Sequence, residues 1–204
     1  MTTIAYPTLS RFPSSLQWGL SSNTQALESP LTGSVQTVEL PGARWQFVLA
    51  YPSLEEQDAA LLQSFLVRLR GQANRFTCFN FARPVPRGTA LGTPLVNNAS
   101  GSPAELQSGS SLITNGWTAG ATLKDGDFFS VNSELKMCVA DSVADGSGNM
   151  TITFEPPLRS SPPHAAPITT DRPTAVFMLT EPTSLWNSRP GVFTDFSVQA
   201  MEQY

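Results

Sequence analysis

Between Pro52 and Gly71 lies the stretch that most limits what this chain can fold into. Leu54, Leu61, Leu62, Phe65, Leu66 and Leu69 recur at spacings of three, four and seven, which draws one apolar stripe along a helix from about Ser53 to Arg70. Ser53 and Glu56 have the S-x-x-E spacing of a capping box. Gly71 is placed to end the helix, and Arg68 and Arg70 stand in the last turn, where the helix dipole favours cations. Glu55, Gln57, Asp58 and Gln63 are expected on the wet side. A helix with one apolar face needs a surface to cover, and the neighbouring sequence predicts a sheet.

Trp45, Phe47, Leu49 and Tyr51 alternate with Arg44, Gln46, Val48 and Ala50, the period of a strand with one strongly apolar face. Ser34–Leu40 precedes it, and Pro41-Gly42-Ala43 between them predicts a hairpin. After the helix, Phe76–Phe81 carries aromatics on both faces and reads as an interior strand. From Arg83 the character changes. Pro84, Pro86, Gly88, Gly92 and Pro94, then Asn97 to Pro103, read as a linker or long loop. Short strands follow at about Ser111–Asn115, Phe128–Val131, Leu135–Ser142 and Met150–Phe154, with a hairpin loop at Asp145–Asn149. Their short, even spacing suits a small barrel or sandwich.

Ala175–Leu179 and Val192–Met201 return to strand character; in the second, Val192, Phe196, Val198 and Ala200 share one face. A half-buried terminal strand must join a sheet, so these segments are expected to return to the first one. The fold class expected is mostly β: a β-sandwich with one helix built from both chain ends, residues 1–90 and 168–204, and an inserted small β-barrel over residues 91–167.

Composition narrows the function. Seventeen prolines, fourteen glycines and only 14% charged residues rule out a coiled coil, and 40% apolar residues argue against disorder. With 12 Lys+Arg against 16 Asp+Glu the net charge is −4, and no basic track is present to grip nucleic acid or anionic lipid. The apolar runs fall well short of the roughly 20 residues that span a bilayer, and Met1–Pro7 lacks the cationic-then-apolar pattern of a signal peptide. Cys78 and Cys138, 60 residues apart without a CxxC, read as free buried thiols.

The search for chemistry yields no catalytic, cofactor-binding or metal residues. His164 is the single histidine, in a proline-rich loop without a nucleophile or metal motif around it. Asp125-Gly126-Asp127 offers two carboxylates to a cation or a glycosidic bond, but equally suits a turn. Asp145-Gly146-Ser147-Gly148-Asn149 has calcium-like alternation, yet Pro156 stands where the bidentate Glu belongs, with Glu155 one short. Gly88–Gly92 lacks the GK[ST] of a phosphate loop. Trp18, Trp45, Trp117 and Trp186 could form a sugar platform or simply be buried.

Three segments in order carry a resemblance. Pro41-Gly42-Ala43-Arg44-Trp45-Gln46-Phe47 leads into the helix that ends Leu69-Arg70-Gly71-Gln72-Ala73-Asn74-Arg75-Phe76; then comes Leu123-Lys124-Asp125-Gly126-Asp127-Phe128-Phe129; then Gly148-Asn149-Met150-Thr151-Ile152-Thr153-Phe154-Glu155-Pro156-Pro157-Leu158-Arg159. Together they resemble the distal tail proteins of long-tailed bacteriophages. That resemblance implies an OB-like inserted barrel and a ring, of six copies in the family, that joins the tail tube protein to the baseplate hub or receptor-binding tip. It also implies a place in the virion after synthesis in the host cytoplasm, DNA passing through the ring unbound, no membrane and no cofactor. Two other readings stand beside it: a carbohydrate-binding module using Trp117, and a glycosidase using Asp125 or Asp127.

Overall fold

The computed structural model describes residues 2–98, 106–189 and 193–203. The chain is mostly β with one helix, as its periodicities predict. The expected loop residues Ala99–Pro103, and Val192 of the last strand, lie outside the described residues.

A seven-stranded sheet gathers β1 (Thr3–Ala5), β2 (Ser15–Ser21), β5 (Arg44–Leu54) and β6 (Arg75–Phe79) with three strands from the far end of the chain. These are β15 (Thr174–Leu179), β16 (Trp186–Arg189) and β17 (Phe193–Glu202). The order is β1-β6-β15-β17-β5-β2, with β16 on the other side of β17. Directly opposed residues share a face. Trp18 faces Phe47, which faces Ala200, and Leu16 faces Leu49, which faces Val198. The apolar halves of β2, β5 and β17 thus form one surface. The helix α1 (Glu56–Leu69) buries Ala59, Leu62, Phe65, Leu66 and Leu69 in the same core as Phe76 and Phe177. Each of these large side chains contributes roughly 1.5–3 kcal/mol by leaving water.

The helix ends differ from expectation. β5 continues through Ser53 and Leu54, so Ser53 cannot cap; its N–H donates to Asp195 Oδ1 at 2.7 Å, and Glu55 stands at the N-cap without a side-chain capping bond. That N–H, at a backbone φ of +54°, holds the Asp195 carboxyl below the usual range. Arg70, at φ +51°, takes the left-handed C-cap expected of Gly71. Gly71 serves a close approach instead: a Cβ there would lie 2.6 Å from the Pro182 carbonyl oxygen. Leu61 is exposed, while Asp58, expected in water, is buried beneath Ser10, whose N–H and hydroxyl both donate to its carboxylate.

The second sheet takes β7 (Gly92–Val96), β8 (Gly109–Trp117), β10 (Phe128–Val131), β11 (Glu134–Cys138), β13 (Met150–Leu158) and β14 (Ile168–Thr169) in the order β14-β10-β11-β13-β8-β7. Its two ends nearly close. Ala165 and Val96 exchange a bond of 2.9 Å, and Val96 N–H donates to Ala166 O at 3.0 Å, with Leu95 bridged to Pro167. Val96, Leu112, Trp117, Leu123, Phe129, Ile152 and Phe154 fill the interior of this barrel-like sheet. The expected strand Leu135–Ser142 breaks after Cys138 because Asp141 turns aside to accept the Asp125 N–H and pair with Lys124 Nζ at 2.8 Å. Ser142–Val143 (β12) then pairs with Thr122–Leu123 (β9).

Candidate assembly surface

Residues 24–39 form the most exposed regular element among those described. Thr24–Glu28 (β3) and Val35–Glu39 (β4) pair antiparallel over five positions, and all ten residues are exposed. This corrects the expected partner of Ser34–Leu40: β4 does not pair with β5, because β5 is occupied by β2 on one side and β17 on the other. The signal was present in Ser29-Pro30-Leu31-Thr32-Gly33, turn residues set between two short alternating runs. Ser29 and Ser34 close the turn, Gly33 adopts φ +67°, and Leu40 N–H to Asn23 O at 2.8 Å fastens the root. Cross-strand register puts Gln25, Leu27, Gln36 and Val38 on one uncharged face. Leu31 at the tip is 93% exposed.

Next to the hairpin in sequence, β2 is an edge of the seven-stranded sheet, paired only with β5. Ser-Leu-Gln-Trp-Gly-Leu-Ser contains neither a charge nor a proline, the usual devices that stop an edge from pairing. The sheet face opposite the core is equally bland. Ser15, Gln17, Gly19 and Ser21 of β2 stand beside Gln46, Val48 and Ala50 of β5 and Ser197, Gln199 and Met201 of β17, all exposed or half-buried.

At the root of the hairpin a groove of about 720 Å³ opens between residues 39–44 and residues 156–159. Leu40, Pro41, Pro156, Pro157 and Leu158 make it apolar, and Arg44, Arg159 and Glu39 add charge. Its floor is the junction of the two sheets. Trp45 Nε1 donates to Leu135 O at 2.9 Å, and Phe128 and Leu135 of the second sheet pack into the first core. Arg159 pairs with the fully buried Glu202, which also accepts the Trp45 N–H at 3.1 Å. Lys136, fully buried, bonds Glu134 Oε2 and Pro157 O, both at 2.8 Å, and burial lowers its pKa. Sequence reading missed these buried charges, since each is neutralised by a partner distant along the chain or turned inward by the fold.

The candidates for chemistry are placed one by one. Asp127 is buried, and its carboxylate accepts the N–H groups of Arg87, Gly88 and Lys124 at 2.8–3.0 Å. It knots the loop after residue 83 to the barrel. Asp125 is exposed and directs its N–H to Asp141, so the two carboxylates do not face one cleft. Asp145 turns its own carboxylate onto the Ser147 and Asn149 N–H groups, both at 2.8 Å, which closes the hairpin loop and lowers its pKa. His164 lies exposed, its Nδ1 accepting the Asn98 N–H at 3.2 Å. Trp117, offered as a sugar platform, is instead buried in the barrel with Nε1 on Thr114 Oγ1 at 2.7 Å; barrel closure turns it inward. Cys78 and Cys138 are free and buried. Among the described residues no group of three His, Cys, Asp or Glu is arranged to hold a metal ion, and no helix is long and apolar enough to cross a membrane.

No family model matches this chain, and no curated protein matches it.

Proposed function

We propose that this chain is a structural protein that assembles with copies of itself into a ring at the tip of a phage tail, joining the tail tube to the baseplate hub or receptor-binding apparatus. The observation that carries the reading is the uncharged edge strand β2 beside the fully exposed hairpin β3–β4. A monomer gains nothing by presenting an unprotected edge next to an apolar, solvated hairpin, whereas a ring covers both. The ordered motifs from Pro41 to Arg159 supply the tail-tip setting by resemblance. A net charge of −4 suits a channel that DNA crosses without being held. On this reading the ring has about six copies, the inserted barrel faces the tip apparatus, and the work is mechanical, without cofactor or catalysis.

Light scattering over a hundredfold concentration range tests this. The expected mass rises to a fixed multiple of 22.0 kDa and stops there. A mass of one subunit throughout, or growth without limit into fibres, overturns a closed ring.

A further inference from the structure

We infer that the ring is closed by a tip-to-root contact, in which Leu31 of one copy enters the groove at the hairpin root of the next. This rests on the ring reading and names its partner segments.

Leu31 is 93% exposed and follows Pro30, and Leu27 on the same hairpin is 63% exposed. The groove walled by Leu40, Pro41, Pro156, Pro157 and Leu158 is apolar and has room for several side chains. The two surfaces match but cannot meet within one chain. Five paired positions at about 3.4 Å each put the tip roughly 17 Å from the root, beyond the reach of a leucine side chain. The occupant is therefore a second copy.

Charge sets the same pairing. The hairpin carries only carboxylates, Glu28 near the tip and Glu39 near the root. The groove presents two guanidinium groups, Arg44 and Arg159, against the single carboxylate of Glu39. An incoming tip thus brings Glu28 toward the positive side of the balance, while a root approaching a root meets like charge. Because tip and root are different surfaces, the contact is heterologous: it propagates from copy to copy and closes when the rotation permits.

The test mixes full-length Leu31→Cys chains with full-length Ala43→Cys chains and adds a short bismaleimide. Leu31 is nearly fully exposed and Ala43→Cys is a small change, so both fold; the native thiols are buried. The expected product is a two-chain band in the mixture and none from either variant alone, with Leu31→Glu weakening association at least about tenfold at unchanged Tm. Closed rings without the cross-link overturn the tip-to-root contact and leave the ring reading standing. Cross-linked dimers or open chains without closed rings support the contact and remove the ring reading. Neither cross-link nor particles overturns both.

Discussion

Arg159, at the end of a barrel strand, clamps Glu202 on the last strand of the seven-stranded sheet, with Nη1 3.0 Å from Oε1 and the carboxylate fully buried. The bond ties the inserted sheet to the chain terminus across 43 residues of sequence. Removing the arginine leaves a buried anion with the Trp45 N–H as its remaining named donor. Arg159→Ala is expected to lower stability by about 3–5 kcal/mol in urea denaturation, and Glu202→Gln by less, since it removes the charge itself. Equal losses would show that the buried charge is not the cause.

Asp127 and Asp125 separate by burial. Asp127→Ala strands three N–H donors and is expected to lose roughly 2–4 kcal/mol. Asp125→Ala, exposed and bonded through its backbone, stays within about 0.5 kcal/mol. Thermal melts of the two variants check the contrast, and matching Tm values would contradict it.

Trp117 belongs to the barrel core. Trp117→Ala is expected to destabilise by about 3–5 kcal/mol through the cavity it leaves, measured by chemical denaturation. A variant of native stability that loses glycan binding would restore the carbohydrate reading.

The regular alternations were legible because burial repeats with them. Trp45, Phe47, Leu49 and Tyr51, and Phe196, Val198 and Ala200, face the core as their spacing predicts. What local sequence does not contain is the choice of distant partner. Asp58 has the spacing of a wet residue, and only the arrival of Ser10, 48 positions earlier, covers it. Ser34–Leu40 has strand character, but which strand it meets depends on β2 and β17 claiming β5 first. Lys136 and Glu202 look like surface charges until the fold places Glu134 and Arg159 against them. For the assembly surface, low charge was visible at once, while the hairpin that presents Leu31 needed the pairing register.

Alkali should find the buried thiols. Burial pushes Cys138 from 9.0 up to about 12 and raises Cys78 well above the thiol range. An acid whose folded pKa is raised keeps its proton in the folded state while the unfolded chain has lost it. Its contribution is full below about pH 9 and falls away as pH rises toward 12. Denaturation midpoints from pH 8 to 11 should therefore fall, and less steeply in Cys138→Ala; identical slopes would contradict the assignment. Ellman's reagent at pH 8 should detect both thiols only after denaturant is added.

The most direct measurement is negative-stain microscopy of the purified full chain at the concentration where its mass in solution has levelled off. Uniform particles with a central opening and cyclic symmetry, about six-fold, are the predicted result. A field of 22.0 kDa monomers at every concentration, without closed particles, would contradict the ring.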